Sequence, residues 1–277
     1  MCRGVQANTF GVAVTVLDNR NDLRDWKGAV LDRVNWRLSR REFVRAAAVG
    51  AAGLAVPGAL PGRAPAETPN PVKTGTFYFP RLMFHVRDGT GHHWNAGAVG
   101  DVILRRRLRE LTNVNVSQDR VVVRGHDLES MCRYPFVFMT SEGYFKLPDD
   151  EEKNVREFLL RGGFIHADDC VYQTWGDRFF TDYVKMINRL FPDNPMREVP
   201  KTHEIYRCYF KFPDGAPQIR EARNKSWGLF EKGTGRIMTY CTAGDLHCGW
   251  TCVYFPKDRN EAAIRMGINI IIYYLTH

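Results

Sequence analysis

The fold is decided by residues 134–170, which read YPFVFMTSEGYFKLPDDEEKNVREFLLRGGFIHADDC. The continuous apolar run at 134–140 is typical of a strand that is covered on both faces. Pro148 and the four carboxylates after it predict a helix start, because proline lacks an N–H that would be unpaired there and acidic groups favour the positive helix end. A glycine pair at Gly162 ends that helix, and the apolar run 164–167 predicts a second buried strand. The stretch therefore predicts one strand-helix-strand unit of a parallel sheet.

Polar side chains follow both predicted strands at their carboxyl ends. Ser141 and Glu142 follow the first strand, and Asp168 and Asp169 follow the second. Open parallel sheets bind their ligands at the carboxyl ends of the strands. Because neighbouring strands lie about 4.8 Å apart, we expect these side chains to border one crevice.

Other patterns extend the same architecture on both sides of this unit. Helical spacing of apolar residues predicts helices at 102–111, 178–190 and 260–275. Further strands are predicted at 76–84, 114–116, 121–123, 227–230 and 236–240, the last two as a hairpin around the turn 231–235. The first helix has a basic face that we interpret as solvated, formed by Arg105, Arg106, Arg107 and Arg109. Alternation of strands and helices indicates an α/β domain.

Two more carboxylate and imidazole candidates follow the hairpin. Asp245 and His247 come after its second strand, and they reach the first crevice only if that strand is parallel and close in the sheet. Such ligands suit a divalent metal or a general acid-base pair. The alternative is that the aspartates cap a helix or brace a turn. The candidate catalytic residues are Asp168, Asp169, His203, Asp245 and His247.

Aromatic residues in loop-like segments predict a stacking platform for a sugar, with ordinary packing as the alternative. These residues are Trp94, Tyr172, Trp175 and Trp250. The candidate ligand-binding residues are therefore Ser141, Glu142, Asp168, Asp169 and Trp250. His166 lies inside an apolar strand, which favours a hydrogen-bonded core residue over a ligand-binding one.

Six cysteines follow position 66, namely Cys132, Cys170, Cys208, Cys241, Cys248 and Cys252. An even count in an exported protein permits disulfides, and six partners allow 15 connectivities. A nucleophilic Cys170 is disfavoured, because the two carboxylates before it raise the pKa of its thiol. Cys241, Cys248 and Cys252 lack the paired spacing of structural zinc sites. The sequence therefore implies no particular metal or cofactor.

The N-terminal region resembles a twin-arginine export signal. Residues 39–45 read SRREFVR, a weakly apolar run follows at 46–56, and the small-x-small pattern APA ends at Ala66. The apolar run is too short and too rich in alanine and glycine for a stable membrane span. We therefore predict export to the periplasm by the twin-arginine machinery, with cleavage after Ala66.

The charge distribution argues against nucleic-acid binding. The chain has 39 Lys+Arg and 31 Asp+Glu, a formal net charge of +8. Residues 1–66 contain 10 and 5 of these, which leaves 29 and 26 for residues 67–277, a net charge of only +3. Most of the basic excess therefore belongs to the leader.

These patterns divide the chain into four parts. A poorly patterned extension at 1–38, which suggests a misassigned start codon, precedes the signal at 39–66. A linker at 67–75 then leads into a single α/β domain at 76–277.

Several motifs together resemble the bacterial family catalogued as domain of unknown function 4159. In chain order over 74–276 they are YPFVFMTSEGYF, LPDDEEKNVREFLLRGGFIHADDC, DRFF, THEIY, GRIMTYCTAGDLHCGW and NEAAIRMGINIIIYYL. That family is similar in fold to class I glutamine amidotransferase-like domains. The resemblance implies a flavodoxin-like three-layer sandwich with a mostly parallel sheet. Members commonly have a Gly-His-Gly turn where this chain has Ser141, Glu142 and Gly143.

Two functions from different classes fit these observations. The first is an exported module that binds a small polar or carbohydrate-like ligand, or a protein partner, beyond the carboxyl ends of the strands. The second is a hydrolase that acts through Asp168, Asp169 or Asp245 and a histidine, with or without a metal. Catalysis needs two titratable groups within hydrogen-bond or metal-ligand distance, whereas binding tolerates dispersed polar groups. We therefore favour binding, and the distances among these side chains discriminate between the two.

Overall fold

The computed structural model describes residues 72–85, 93–144, 146–171, 177–223 and 225–277. The extension at 1–38, the predicted signal at 39–66 and most of the linker lie outside the described residues. Tyr172 and Trp175, two of the aromatic candidates, lie outside them as well.

The described residues form strands and helices in alternation. The strands are β1 Pro80–Met83, β2 Val121–Arg124, β3 Phe136–Glu142, β4 Phe164–Cys170, β5 Arg197–Glu198, β6 Ser226–Phe230 and β7 Ile237–Thr242. The helices are α1 Val99–Leu111, α2 Leu128–Arg133, α3 Asp149–Leu160, α4 Arg178–Leu190, α5 Leu246–Trp250 and α6 Lys257–Thr276. Among the described residues, no helix combines the length and apolar character that crossing a bilayer requires.

The strands form one sheet in the order β2-β1-β3-β4-β7-β6-β5. Neighbouring strands from β2 to β7 in this order are parallel. β6 pairs antiparallel with β7, and β5 pairs antiparallel with β6. β4 lies between β3 and β7, so the carboxyl ends of these three strands meet at one edge. The strand before Asp245 is therefore parallel and adjacent to β4, as the predicted crevice requires.

The central strands have continuous apolar sequences because both of their faces are covered. Every residue of β4 is buried, and β3 is buried except for the half-buried Glu142. α2, α3 and α4 pack on one face, where Val155, Phe158 and Tyr183 join the core. α1, α5 and α6 pack on the other face around Leu104 and Trp250. The result is a three-layer α/β sandwich with a mostly parallel sheet, as the sequence predicts.

The two glycines after α3 are required for different structural reasons. Gly162 adopts a φ of +90°, a left-handed conformation that favours glycine. A Cβ atom on Gly163 would lie 2.5 Å from the ring of Phe158. The chain therefore turns closely over the helix end and enters β4 directly.

Some sequence predictions differ from the structure. Arg105 is buried rather than solvated, because its guanidinium donates to the backbone carbonyl of Asp119 at 2.6 Å. Arg106 and Arg109 are exposed, as predicted. The strand predicted at 114–116 is reduced to one isolated bridge, between Val116 and Phe77. The short helices α2 and α5 were not predicted.

Candidate functional site

Asp168 and His247 form the centre of a buried polar cluster at the carboxyl edge of β4. Both side chains are fully buried. Asp168 Oδ2 lies 2.7 Å from His247 Nδ1 and also accepts the backbone N–H of His247 at 2.9 Å. Its other oxygen accepts the hydroxyl of Thr242. Because the carboxylate engages Nδ1, the Nε2 atom of the imidazole is left for other chemistry.

A sharp turn between β7 and α5 places His247 over β4. Asp245, the residue before α5, has a left-handed backbone with φ of 61° and ψ of 45°. Aspartate is one of the few residues other than glycine that adopt this conformation readily. Gly97 approaches the imidazole from α1's side of the sheet, and a Cβ atom there would lie 2.9 Å from His247 Cδ2. Backbone geometry thus fixes the imidazole from two directions.

Two thiols from different elements lie beside His247. The Sγ atoms of Cys170, at the end of β4, and Cys248, in α5, are 3.6 Å apart and not bonded. Cys248 Sγ is also 3.6 Å from His247 Nε2. Cys170 Sγ lies 3.7 Å from Oε1 of the half-buried Glu142. The cluster thus joins an imidazole to two free thiols.

Asp245 brings a second carboxylate into the cluster. Its Oδ2 accepts from Arg220 Nε at 3.0 Å, and its Oδ1 lies 3.7 Å from His247 Nδ1. The carboxylate is fully buried, whereas the Arg220 side chain is 42% exposed. Among the described residues, Oδ1 of Asp245 has no hydrogen-bond partner. A buried acceptor without a partner is costly, so this oxygen has unused binding capacity.

Burial and close contacts together set the protonation of the cluster. It raises the pKa of Asp245 to about 6, against the lowering effect of His247. The contact with Cys170, together with burial, raises the pKa of Cys248 above its ordinary value. Burial lowers the pKa of His247, but Cys248 and the hydrogen bond to Asp168 outweigh it and raise that pKa. The pKa values of both Cys170 and Cys248 are therefore raised, which favours their protonated thiol forms.

The family model described as Domain of unknown function (DUF4159) matches residues 83–275. The chain belongs to this family. No curated protein matches the chain. The matched region of this DUF4159 member contains the whole cluster, from Glu142 to Cys248.

Asp169 and Ser141 lie on the opposite face of the sheet in this DUF4159 domain. Successive strand residues point to opposite faces, so Asp169 points away from Asp168. Its Oδ2 accepts the backbone N–H of Phe180 at 2.7 Å, in the first turn of α4, and burial raises its pKa to about 8. The expectation that all four polar residues border one crevice is therefore wrong for these two. Asp169 instead caps the next helix, the alternative that the sequence left open.

His203 does not join the other candidates. Its ring packs 5.8 Å from that of Phe230 and 5.4 Å from that of Tyr273, measured between centroids. The Tyr273 hydroxyl accepts the backbone N–H of Ile237, the first residue of β7, so this group lies at the amino end of that strand. The sequence could not place His203 because it lies in an irregular segment.

Trp250 is not a stacking platform. It lies within α5, is fully buried, and donates its indole N–H to the carbonyl of Ala263 at 3.0 Å. The prediction of a loop residue is wrong because α5 is only five residues long and shows no periodicity. Trp94, the other described aromatic candidate, is half-buried.

Sequence reasoning missed the pairing of Cys170 with Cys248. It grouped Cys248 with Cys241 and Cys252, but Cys241 packs in the core on the other face and Cys252 is exposed. The two thiols that meet are separated by 78 residues. The two thiols come together only because β4 and β7 are adjacent in the sheet. No local sequence pattern predicts that adjacency.

A second group with metal-ligand chemistry lies elsewhere among the described residues. Glu151, buried at the start of α3, places Oε1 2.7 Å from Nδ1 of His85 and 4.0 Å from Nδ1 of His126. Both imidazoles are about half exposed. The group contains only nitrogen and oxygen ligands, which distinguishes it from the thiol cluster.

Proposed function

We propose that this DUF4159 domain binds a small polar ligand at the carboxyl edge formed by β3, β4 and β7. The buried Oδ1 of Asp245, which has no hydrogen-bond partner within the part of the chain that the structure describes, carries this proposal. Leaving such an acceptor unsatisfied costs roughly 1–3 kcal/mol, which a bound group would offset. Glu142 and Arg220 border the cluster, and both are partly exposed, which supports access from solvent.

Hydrolysis is the second candidate, and the pairing of Asp168 with His247 favours it. The 2.7 Å contact satisfies the requirement for two titratable groups in direct reach. In such a reaction, water adds to the carbonyl carbon of an ester or amide. The bond to the leaving group then breaks, and a proton from the water passes to that group. A carboxylate that orients an imidazole in this way also suits a general acid-base pair.

We also propose the finer features of fold and location that the sequence suggested. The strand order β2-β1-β3-β4, with β7 in the fifth place, corresponds to the flavodoxin-like order, which supports the likeness to class I glutamine amidotransferase-like domains. The SRREFVR motif and the APA pattern support export to the periplasm.

Thermal unfolding with a panel of small compounds tests ligand binding. The panel contains monosaccharides, amino acids, dicarboxylic acids and inorganic phosphate, with p-nitrophenyl acetate as a hydrolysis substrate. At least one compound should raise the melting temperature of the wild type and not that of Asp245→Asn. Asp193→Asn is the matched control, because Asp193 is an exposed carboxylate in the turn after α4. Equal shifts in all three proteins, or no shift and no hydrolysis, would refute the proposal.

A further inference from the structure

We propose that Cys170, His247 and Cys248 bind a zinc ion, with Asp245 as the fourth ligand. This inference deepens the proposed function, because it names the group through which a polar ligand would be held at that edge. The four residues come from β4 and from the turn and helix after β7, and their ligand atoms all lie within 4.8 Å of one another.

Two of the distances between the ligand atoms already match those around a tetrahedral zinc ion. With bonds of about 2.3 Å to sulfur and about 2.05 Å to nitrogen, two sulfur ligands lie about 3.8 Å apart, and a sulfur and a nitrogen about 3.6 Å apart. Here the two Sγ atoms are 3.6 Å apart, and Cys248 Sγ is 3.6 Å from His247 Nε2. Little movement is therefore needed to admit the ion.

The hydrogen bond that Asp168 accepts from Nδ1 leaves the other nitrogen of His247, Nε2, for the metal. Zinc-bound histidines almost always donate their other ring N–H to a carboxylate, carbonyl or water, which fixes the tautomer. Asp168 Oδ2 engages Nδ1 at 2.7 Å, so Nε2, which lies 3.6 Å from Cys248 Sγ, is the nitrogen that can release its proton and bind a metal. Asp168 is thus a positioning residue that acts through His247.

Asp245 provides an independent indication that a ligand is missing from this cluster. Its Oδ1 is fully buried and has no hydrogen-bond partner among the described residues. Arg220 holds the other oxygen at 3.0 Å and so fixes the direction of the free one. A zinc ion, which binds carboxylate oxygen at about 2.0–2.2 Å, would satisfy this atom.

The ligand types favour zinc over harder cations. Magnesium and calcium prefer oxygen ligands, whereas thiolates and imidazole suit zinc. Two thiolates and one carboxylate also supply negative charge next to a dication in a region that excludes water. A polar group that reached the zinc ion as a fifth ligand would be polarised by its Lewis acidity.

Two other chemistries are open to the same atoms, and both are outcomes of the test. With molecular oxygen as oxidant, the thiols could lose two electrons and two protons and form a disulfide, which would shorten their separation from 3.6 Å to about 2.05 Å. Alternatively, Cys248 could act as a nucleophile, with His247 as its base. Zinc binding excludes both, because it occupies the sulfur lone pairs and Nε2.

Cobalt substitution tests the proposal on the full chain, purified under reducing conditions. Wild type should bind zinc, and cobalt should replace it with a sulfur-to-cobalt charge-transfer band in the near ultraviolet. Cys170→Ser and Cys248→Ser each retain one sulfur ligand, so each should show about half the intensity of the band at saturating cobalt. In both cysteine variants, cobalt affinity should fall further than the roughly 10- to 100-fold loss that follows mutation of an outer hydrogen-bond partner. A wild type without the band, or an undiminished band in both variants, overturns the proposal.

Two control variants define the location of the site. Cys252→Ser alters an exposed thiol in the segment after α5 and should keep the band. Glu151→Gln disrupts the second cluster, which contains no sulfur, and should also keep it. Loss of the band in either control would place the metal elsewhere.

Asp245→Asn and a chelator keep the test decisive if the cysteine variants do not fold. Asp245→Asn retains both sulfurs, so its charge-transfer band should persist. The cobalt absorption at lower energies than this band should change. An unchanged spectrum overturns the role of Asp245. A chelated protein that binds the panel compounds as well as the zinc-loaded protein does refutes the role of the metal in holding the ligand and leaves ligand binding intact. A zinc-loaded protein that binds none of the compounds leaves the metal and refutes ligand binding.

Discussion

His166 is a titratable residue enclosed by aromatic rings. It lies in the middle of β4, and its ring is 5.3 Å from that of Phe138 and 5.8 Å from that of Trp250, measured between centroids. Its Nε2 lies 3.2 Å from the hydroxyl of Thr242. Burial lowers the pKa of His166 from 6.5 to about 4. The imidazole is therefore neutral in the folded protein at neutral pH.

This shift predicts a specific acid sensitivity. Between pH 6.5 and about 4 the unfolded chain binds more protons at this residue than the folded chain, so stability falls as the pH decreases. The expected loss is on the order of 1 kcal/mol per pH unit in that window. Urea unfolding at pH 7 and pH 4.5 should show a smaller loss for His166→Gln than for the wild type. Equal losses would mean that this residue does not contribute.

Asp168→Asn tests the positioning of His247. The amide cannot act as a charged acceptor for Nδ1, so the tautomer that leaves Nε2 unprotonated is no longer favoured. We expect cobalt affinity to fall roughly 10- to 100-fold while the charge-transfer band remains at saturating metal. Asp169→Asn, on the opposite face, should leave affinity unchanged in the same titration. A larger effect from Asp169→Asn would show that the face assignment is wrong.

At the scale of elements, local signals explain which helices the sequence could predict. α3 begins after Pro148 with an acidic first turn, and α4 has a strongly apolar face, so both were predicted within a few residues. α5 was missed because it has only five residues, all buried, and one of them is Gly249. Short buried helices depend on tertiary packing, and a single sequence does not report that packing.

The two glycines after α3 predict different costs of substitution. Gly162→Ala puts a residue with a Cβ atom in a left-handed backbone conformation, although the space around that atom is open. The substitution should lower the free energy of unfolding by about 1–2 kcal/mol. Gly163→Ala places a Cβ atom 2.5 Å from the Phe158 ring. This overpacking should lower the free energy of unfolding by about 1–3 kcal/mol. Urea unfolding of both variants measures the difference between the two mechanisms. A neutral Gly163→Ala would show that the ring moves freely.

At the scale of the whole molecule, the sequence predicted the sheet edge better than the site built on it. Asp168 and Asp245 both lie beside His247 because β4 and β7 are parallel neighbours. The cysteine pair and Arg220 could not be predicted, since their contacts depend on strand order and on the path of irregular segments. His203 was misassigned for the same reason.

Export is the prediction that concerns the chain as a whole. Replacing Arg40 and Arg41 by Lys should leave the precursor in the cytoplasm, because the paired arginines define the signal. Cell fractionation measures this, and N-terminal sequencing of exported protein should give a start near Glu67. Unchanged export of the double variant, or Met1 on the exported chain, would contradict the prediction.

The distance along the chain between Cys170 and Cys248 has a consequence for the timing of synthesis. The two residues are 78 positions apart, and ribosomes add about 5–20 residues per second. Asp168 and Cys170 therefore emerge roughly 4–16 seconds before their partners. During that interval the first half of the site is present in the nascent chain without the second. Any ion that it will hold must arrive after α5 has been translated.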